Sequence, residues 1–386
     1  MYDHALSYPL PRPNRLAPPE LYASLRTNGR VVEVTMDDGG TASLLTRYSD
    51  IRAALGDRRF SMFPPGFDPA GNPAMSNPFQ TGNVRPAFAR FVTRDYLDAV
   101  RARSKELVAQ LLEEMAARNG STDLVRSLST PLPLTIIAEM IGIPLEELKQ
   151  LRSHVDAVAG GQDKTPEEIG HAWYEMQVYV TSLVTGKPRD HHLDLISRLQ
   201  AAEETRGLGD EHLGHIALGL ILAGYTSTTH AISIGTMRLL TGDGYQRLSS
   251  ERALAETAVE EILRLHAGPG GDAFPRFAQE DLELDGLNFR VGDRIIPSLE
   301  AANHDPAIFD DPDRFDIDRQ SNRHLAFGYG PYHCLGAAIA RVMLREVFSN
   351  LPARFPRLRM VTSLEEIPWI TVLMDAGPES LPVSWR

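Results

Sequence analysis

Phe327-Gly328-Tyr329-Gly330-Pro331-Tyr332-His333-Cys334-Leu335-Gly336 carries the single cysteine of this 386-residue chain. One thiol cannot close an intramolecular disulfide, which takes two. It also cannot supply a multi-cysteine zinc or iron–sulfur site. Three uses remain: a small buried hydrophobe, a nucleophile, or a single axial ligand to iron.

The surroundings favour the ligand. Gly328, Gly330 and Gly336 let the backbone turn sharply and approach another group closely. From Leu335 the chain reads LGAAIARVMLREVFSNL. Leu335, Ile339, Met343 and Val347 recur at i, i+4, and Val342 and Leu344 widen the stripe, which predicts an amphipathic helix. Cys334 is therefore expected at a helix N-terminus. The exposed N–H groups and positive dipole end there favour thiolate over thiol. A thiolate so placed is a good axial ligand for haem iron. Free cysteine is also often only a small buried hydrophobe. A nucleophilic cysteine needs a base. His333 is adjacent, but neighbours at a helix start do not face each other.

The run resembles the haem-binding loop of the cytochrome P-450 family, Phe-Gly-x-Gly-x-His-x-Cys-x-Gly. Other motifs follow in order. Glu261-Ile262-Leu263-Arg264 is similar to that family's Glu-x-x-Arg, and Pro312-Asp313-Arg314-Phe315 to the segment that supplies a second arginine to the same buried cluster. Ala301-Ala302-Asn303-His304-Asp305-Pro306 and the closing Glu379–Trp385 also resemble soluble bacterial members. The resemblance runs from about residue 20 to the C-terminus. It implies a mainly α chain with a small β portion, folded as one large domain over residues 1–386. The small sheet would come from about 28–60 and 276–300, and the helical core from about 84–270 and 335–352. Haem b would lie between a long central helix and the helix after Cys334, with Cys334 ligating the iron and dioxygen as cosubstrate. Phe327 and Gly328 would belong to the haem-contacting loop.

Composition narrows the remaining classes. Nothing in the chain reads as a linker, a charge block or an internal repeat. The net charge of −12 argues against nucleic acid, whose binding needs clustered Lys and Arg. The opening MYDHALSYPLPRPNRL has no apolar core preceded by basic residues. No membrane anchor is expected, and one unpaired cysteine fits a reducing, cytoplasmic location. Val31–Met36 and Thr41–Leu45, around Asp37-Asp38-Gly39-Gly40, predict a hairpin. Helices are predicted at Tyr96–Ala117, Leu134–Ile143, Pro166–Leu183, Leu193–Ala202, Leu213–Leu240 and Ala253–His266. Short strands are predicted across Arg276–Arg294, with a turn at Asp285-Gly286.

Leu213–Met237 contains no Asp, Glu, Lys or Arg. His215, His230 and the Thr226–Thr229 cluster interrupt it, so its unbroken apolar run is too short for a bilayer. A long uncharged helix is then buried on all sides. Gly224 inside it costs roughly 1 kcal/mol against alanine, which a close approach of cofactor or substrate would offset. The family places its oxygen-activating Ala-Gly-x-[Asp/Glu]-Thr here, and this chain has Ala223-Gly224-Tyr225-Thr226-Ser227. Thr226 stands in the acid position and Ser227 in the alcohol position. Ser227 keeps a hydroxyl for proton delivery, and a shuttling carboxylate is missing. Alternatively these hydroxyls only back-bond to helix carbonyls.

The resemblance also implies groups for the two haem propionates. Arg276 matches the family's strand arginine. The helix-borne His-x-x-x-Arg maps onto Thr81–Arg85, with Thr81 replacing the histidine and Arg85 keeping the cation. Pro86 disfavours helical geometry at Arg85, so a later helix start makes Arg90 the rival. In the cysteine loop Tyr332 occupies the histidine slot and can donate a hydrogen bond. Phe60–Gln80, with four Phe, two Met and one charge at Asp68, fits an apolar substrate wall. Gly268–Phe274 and Thr371–Asp375 fall where the family has other substrate loops.

The expected function is a haem-thiolate monooxygenase acting on a medium-sized, largely apolar small molecule in specialised-metabolite biosynthesis. The loss of the relay acid allows ring closure or desaturation as outcomes. Electrons would come from a ferredoxin and its ferredoxin reductase, with Arg341 and Arg345 adding positive charge near Cys334. The alternatives are a catalytically weak relative that activates another biosynthetic enzyme, or a cysteine hydrolase.

Overall fold

The computed structural model describes residues 6–67, 84–159, 165–185, 194–202, 209–266, 274–372 and 375–386. The chain divides into two compact units. One comprises Met1–Phe67, Glu256–Cys334 and Met374–Ala376; the other comprises Asp68–Ala255, Leu335–Leu373 and Gly377–Arg386.

The first unit is built on a six-stranded sheet. Its order is Leu6–Tyr8, Val31–Met36, Thr41–Leu45, Arg294–Pro297, Arg276–Ala278 and Phe60–Ser61. The predicted hairpin is present, with Val31 opposite Leu45 and Thr35 opposite Thr41. Its turn places Gly39 at φ +78°, where a side chain would be strained, and Gly40 N–H donates to Asp38 Oδ1 at 2.9 Å. Asp285 and Gly286, both at positive φ, close the two-stranded hairpin Leu282–Leu284 and Leu287–Phe289. Not all of residues 28–60 is sheet: Tyr48–Gly56 is a helix that buries Ile51, Ala54 and Leu55 against Phe60, Ala278 and Ile295. The helix Ala255–His266 also belongs here, apart from its first residue.

The second unit is mainly helical. Its longest helix, Asp210–Leu240, is uncharged from Leu213 to Met237 and buries nearly all of its C-terminal half. The helices Pro166–Thr185, Pro131–Met140 and Ala337–Arg354 pack against it, and Arg94–Ala116 packs against the last of these. Thr93 caps Arg94–Ala116 by accepting from Tyr96 N–H at 3.2 Å. Asp194 caps Leu195–Ala201 in the same way. The stripe Ile339, Val342, Met343, Leu344 and Val347 is buried, as its spacing predicts. Three further helices, Leu21–Asn28, Gly244–Ser250 and Leu299–Asn303, are too short to announce themselves, whereas Leu148–Ala159 buries a helical stripe of Leu151, Val155 and Val158 that was legible in the sequence. Among the described residues, no helix is long and apolar enough to cross a membrane.

Gly224 packs closely against another helix. A Cβ there would come within 2.8 Å of Ile137 Cδ1, so the glycine admits the helix Pro131–Met140. Close helix packing offsets its propensity cost.

Candidate functional site

The cysteine loop is fixed by its own backbone within the first unit. Cys334 N–H donates to Phe327 O at 2.8 Å, His333 N–H to Gly330 O at 3.1 Å and Gly328 N–H to Leu325 O at 2.8 Å. Gly328 and Gly330 have φ +69° and +70°. A Cβ on Gly330 would lie 2.5 Å from Leu55 O and 2.8 Å from Gly56 Cα. Only glycine lets the loop rest on the end of the helix Tyr48–Gly56. Tyr329 adds to that contact, its hydroxyl 2.9 Å from Arg52 Nη2. The thiol of Cys334 is exposed, which removes the buried-hydrophobe use. The helix that follows starts at Ala337 with Gly336 as its cap. Cys334 therefore precedes the cap by two residues rather than opening the helix, because Leu335 and Gly336 form a turn.

Arg276 stands in the same unit, on the strand Arg276–Ala278. It is 6 % exposed. Its Nη1 donates to Phe274 O at 2.8 Å and Pro275 O at 3.2 Å, and its Nε has no hydrogen-bond partner. The guanidinium carbon lies 5.1 Å from the centroid of the Tyr332 ring. Burial lowers its pKa to about 10. A buried cation with an unused N–H, and no carboxylate beside it among the described residues, suits an incoming anion. With Tyr332 alongside and an exposed thiol on the same loop, the set fits a flat ligand bearing carboxylates and an iron. Among the described residues no cluster of three or more His, Cys, Asp or Glu could hold a metal ion.

Behind the loop is a buried charge cluster. Glu261 and Arg264 are fully buried and bidentate, with Nη2–Oε1 at 2.7 Å and Nε–Oε2 at 2.8 Å. Arg264 Nη1 also donates to Asn303 O and Pro312 O, and Nη2 to Arg314 O. All five guanidinium donors are used. Burial, the largest single effect, would raise the Glu261 pKa; Arg264, the Asp316 N–H and Arg319 together outweigh it and hold the carboxyl below its ordinary value. The second arginine on Glu261 is Arg319, at 3.1 Å, and not Arg314. Arg314 is exposed and contributes only its carbonyl, because the chain turns after it and returns Arg319 to the cluster. Asn322 Nδ2 completes the shell at 3.0 Å. Nothing in their spacing singles out Arg319 and Asn322; a polar residue in the stretch leading to the cysteine loop was the available signal.

In the second unit, Ser227 and Ala223 face outward from the long helix while Thr226 is buried. Ser227 Oγ donates to Ala223 O at 2.6 Å, the back-bonded alternative. Thr226 does not back-bond: its Oγ1 is buried and has no partner. The described helix Val84–Phe91 includes Arg85, so Pro86 did not delay its start. Proline in a first helical turn is tolerated because its missing N–H has no partner to lose there. Arg85 is half-buried and Arg90 exposed. Thr81 lies outside the described residues, as do 68–80 of the apolar segment, 268–273, and 373–374.

The family model described as cytochrome P-450 matches residues 245–360. The chain is 34% identical to nocardicin C N-oxygenase of Nocardia uniformis subsp. tsuyamanensis, over 98% of each sequence. It is 34% identical to mycinamicin IV hydroxylase/epoxidase of Micromonospora griseorubida, over 94% of each. A crystal structure of the putative thioether synthase SgvP, involved in the tailoring step of griseoviridin, superposes with a TM-score of 0.88 at 32% identity. That match covers 99% of this chain and 100% of the other.

Proposed function

Because the chain belongs to the cytochrome P-450 family, we propose that it is a tailoring monooxygenase for a medium-sized, largely apolar specialised metabolite. Membership makes it a monooxygenase that uses haem iron and dioxygen. The haem, when bound, supplies the iron at which dioxygen is activated and one oxygen atom passes to the substrate. The chain's own residues do the rest.

Cys334 would ligate the iron through its thiolate, on a loop whose shape is set by Gly328 and Gly330. Arg276 and Tyr332 would hold one propionate, and Arg85 would meet the other. Phe327 would pack beside the cofactor. The observation that carries this assignment is the Arg276 guanidinium, buried with an unmatched Nε in the unit that carries Cys334. An anion at that place removes the cost of burying an unpaired charge.

Ser227 and Thr226 handle water and protons. Ser227 Oγ must release Ala223 O before it can donate elsewhere, and Thr226 Oγ1 is an unused hydroxyl that can hold a water. Neither is a carboxylate, so proton delivery is slow relative to a chain with the acid. We propose ring closure or desaturation as outcomes beside hydroxylation. The relatives' names, an N-oxygenase, a hydroxylase/epoxidase and a putative thioether synthase, support a tailoring role with varied outcomes. Electrons arrive from a ferredoxin and its reductase. Arg341 and Arg345, both half-buried, add positive charge near that approach.

The test is a screen of medium-sized apolar metabolites for the spin-state shift of the haem-loaded protein on substrate binding. A set that includes nocardicin C and mycinamicin IV should yield at least one shifting compound that is oxidised on addition of ferredoxin, reductase and NADPH. Binding and turnover confined to small polar compounds would overturn the substrate class.

A further inference from the structure

His324 and Glu260 lie outside every role assigned above. The His324 side chain is 2 % exposed and that of Glu260 19 %. His324 Nε2 is 3.1 Å from Glu260 Oε2. On the other side of the ring, Ala326 N–H donates to His324 Nδ1 at 3.2 Å. A backbone N–H can only donate, so Nδ1 is an acceptor and the ring proton sits on Nε2, facing the carboxylate. Glu260 thus selects the one tautomer that can cap Ala326.

The cap acts on the cysteine loop. Leu325 N–H, one residue earlier, donates to Asn303 Oδ1 at 2.7 Å. Two consecutive backbone N–H groups are therefore held by side chains, one from Asn303 outside the loop and one from His324 just upstream. The next residue, Phe327, supplies the carbonyl that accepts Cys334 N–H at 2.8 Å. Leu325 O accepts Gly328 N–H at 2.8 Å. Shifting Ala326 moves the carbonyl to which Cys334 is tied.

We propose that His324, held in one tautomer by Glu260, is a positioning residue for the Cys334 ligand. The proposal rests on the assignment of Cys334 as the iron ligand. His324 acts through Ala326; it sets the register of the loop backbone that fixes the thiolate. Removing it leaves an unpaired N–H at Ala326 and frees the Phe327 carbonyl to drift. The thiolate then exchanges for a protonated, weaker ligand. Outer partners of metal ligands commonly act with effects on the order of 10- to 100-fold on metal retention.

The experiment uses haem-loaded protein, reduced under carbon monoxide, with the Soret band followed over time. Wild type should hold the long-wavelength band of a thiolate ligand. His324→Leu should convert to the short-wavelength form, with haem release faster by on the order of 10-fold. His324→Asn should restore the thiolate band, because its amide oxygen stands where Nδ1 accepts. A Leu variant as persistent as wild type overturns the proposal alone. So does an Asn variant that fails as Leu does while both keep wild-type circular dichroism. Wild type without a thiolate band overturns the ligand assignment, and the proposal with it. If His324→Leu does not fold, Glu260→Ala should shift the band in the same direction and Glu260→Gln should restore it; an unmoved Glu260→Ala band overturns the proposal.

Discussion

The Arg276 guanidinium lies 5.1 Å from the Tyr332 ring centroid, buried, with its Nε unpartnered. A cation so placed is a cost to the folded chain and an attraction to an anion. Arg276→Gln keeps an amide donor for the Phe274 and Pro275 carbonyls and removes the charge. Haem should then bind at least ~10-fold more weakly, since a charge-assisted hydrogen bond contributes about 1.5–3 kcal/mol. The haem-free protein should be no less stable. Haem titration and urea unfolding measure the two sides; equal haem affinity would contradict the role.

Arg319 and Arg314 can be separated by substitution. Arg264→Ala strands a fully buried Glu261 and should cost about 3–5 kcal/mol in a urea midpoint analysis. Arg319→Ala removes one of the donors on Glu261 and should cost about 1–3 kcal/mol. Arg314→Ala leaves the carbonyl that Arg264 uses and should stay within about 0.5 kcal/mol. A larger loss at Arg314 than at Arg319 would reverse the assignment.

The cluster also sets an acid limit. Glu261 has a folded pKa below its unfolded value of about 4.3. The stability it contributes is complete above the unfolded pKa and is lost as pH falls through the depressed folded value. Acid unfolding of Glu261→Gln should begin from a less stable state and depend less steeply on pH below about 4.3. A parallel pH profile for the two proteins would show that Glu261 is not the titrating group.

How much of this was legible in the sequence depends on range. The Val31–Leu45 hairpin and the Asp285-Gly286 turn are local, and their residues dictated them. The uncharged Leu213–Met237 stretch announced a buried helix. Arg319 could not be found that way: its place on Glu261 depends on a turn that brings back a residue 58 positions away. The helix neighbour of Gly224 was illegible for the same reason, because Ile137 comes from another helix. Helix Tyr48–Gly56 is held by the sheet beneath it more than by its own pattern.

Ser227 makes a kinetic prediction. Its hydroxyl is bonded to Ala223 O at 2.6 Å and must rotate to serve as a donor. Ser227→Ala should raise peroxide released per electron consumed, with substrate affinity unchanged. Thr226→Val removes a buried hydroxyl with no partner and should be neutral or stabilising. Unchanged coupling in Ser227→Ala would remove the hydroxyl from proton delivery.

The central claim is that Cys334 is the thiolate ligand of a haem. The direct measurement is the visible spectrum of the reduced, haem-loaded protein under carbon monoxide, beside that of Cys334→Ser. The account predicts a long-wavelength, thiolate-type Soret band in the wild type and its loss in the serine variant. A neutral-ligand band in the wild type, or the same band in both proteins, would contradict it.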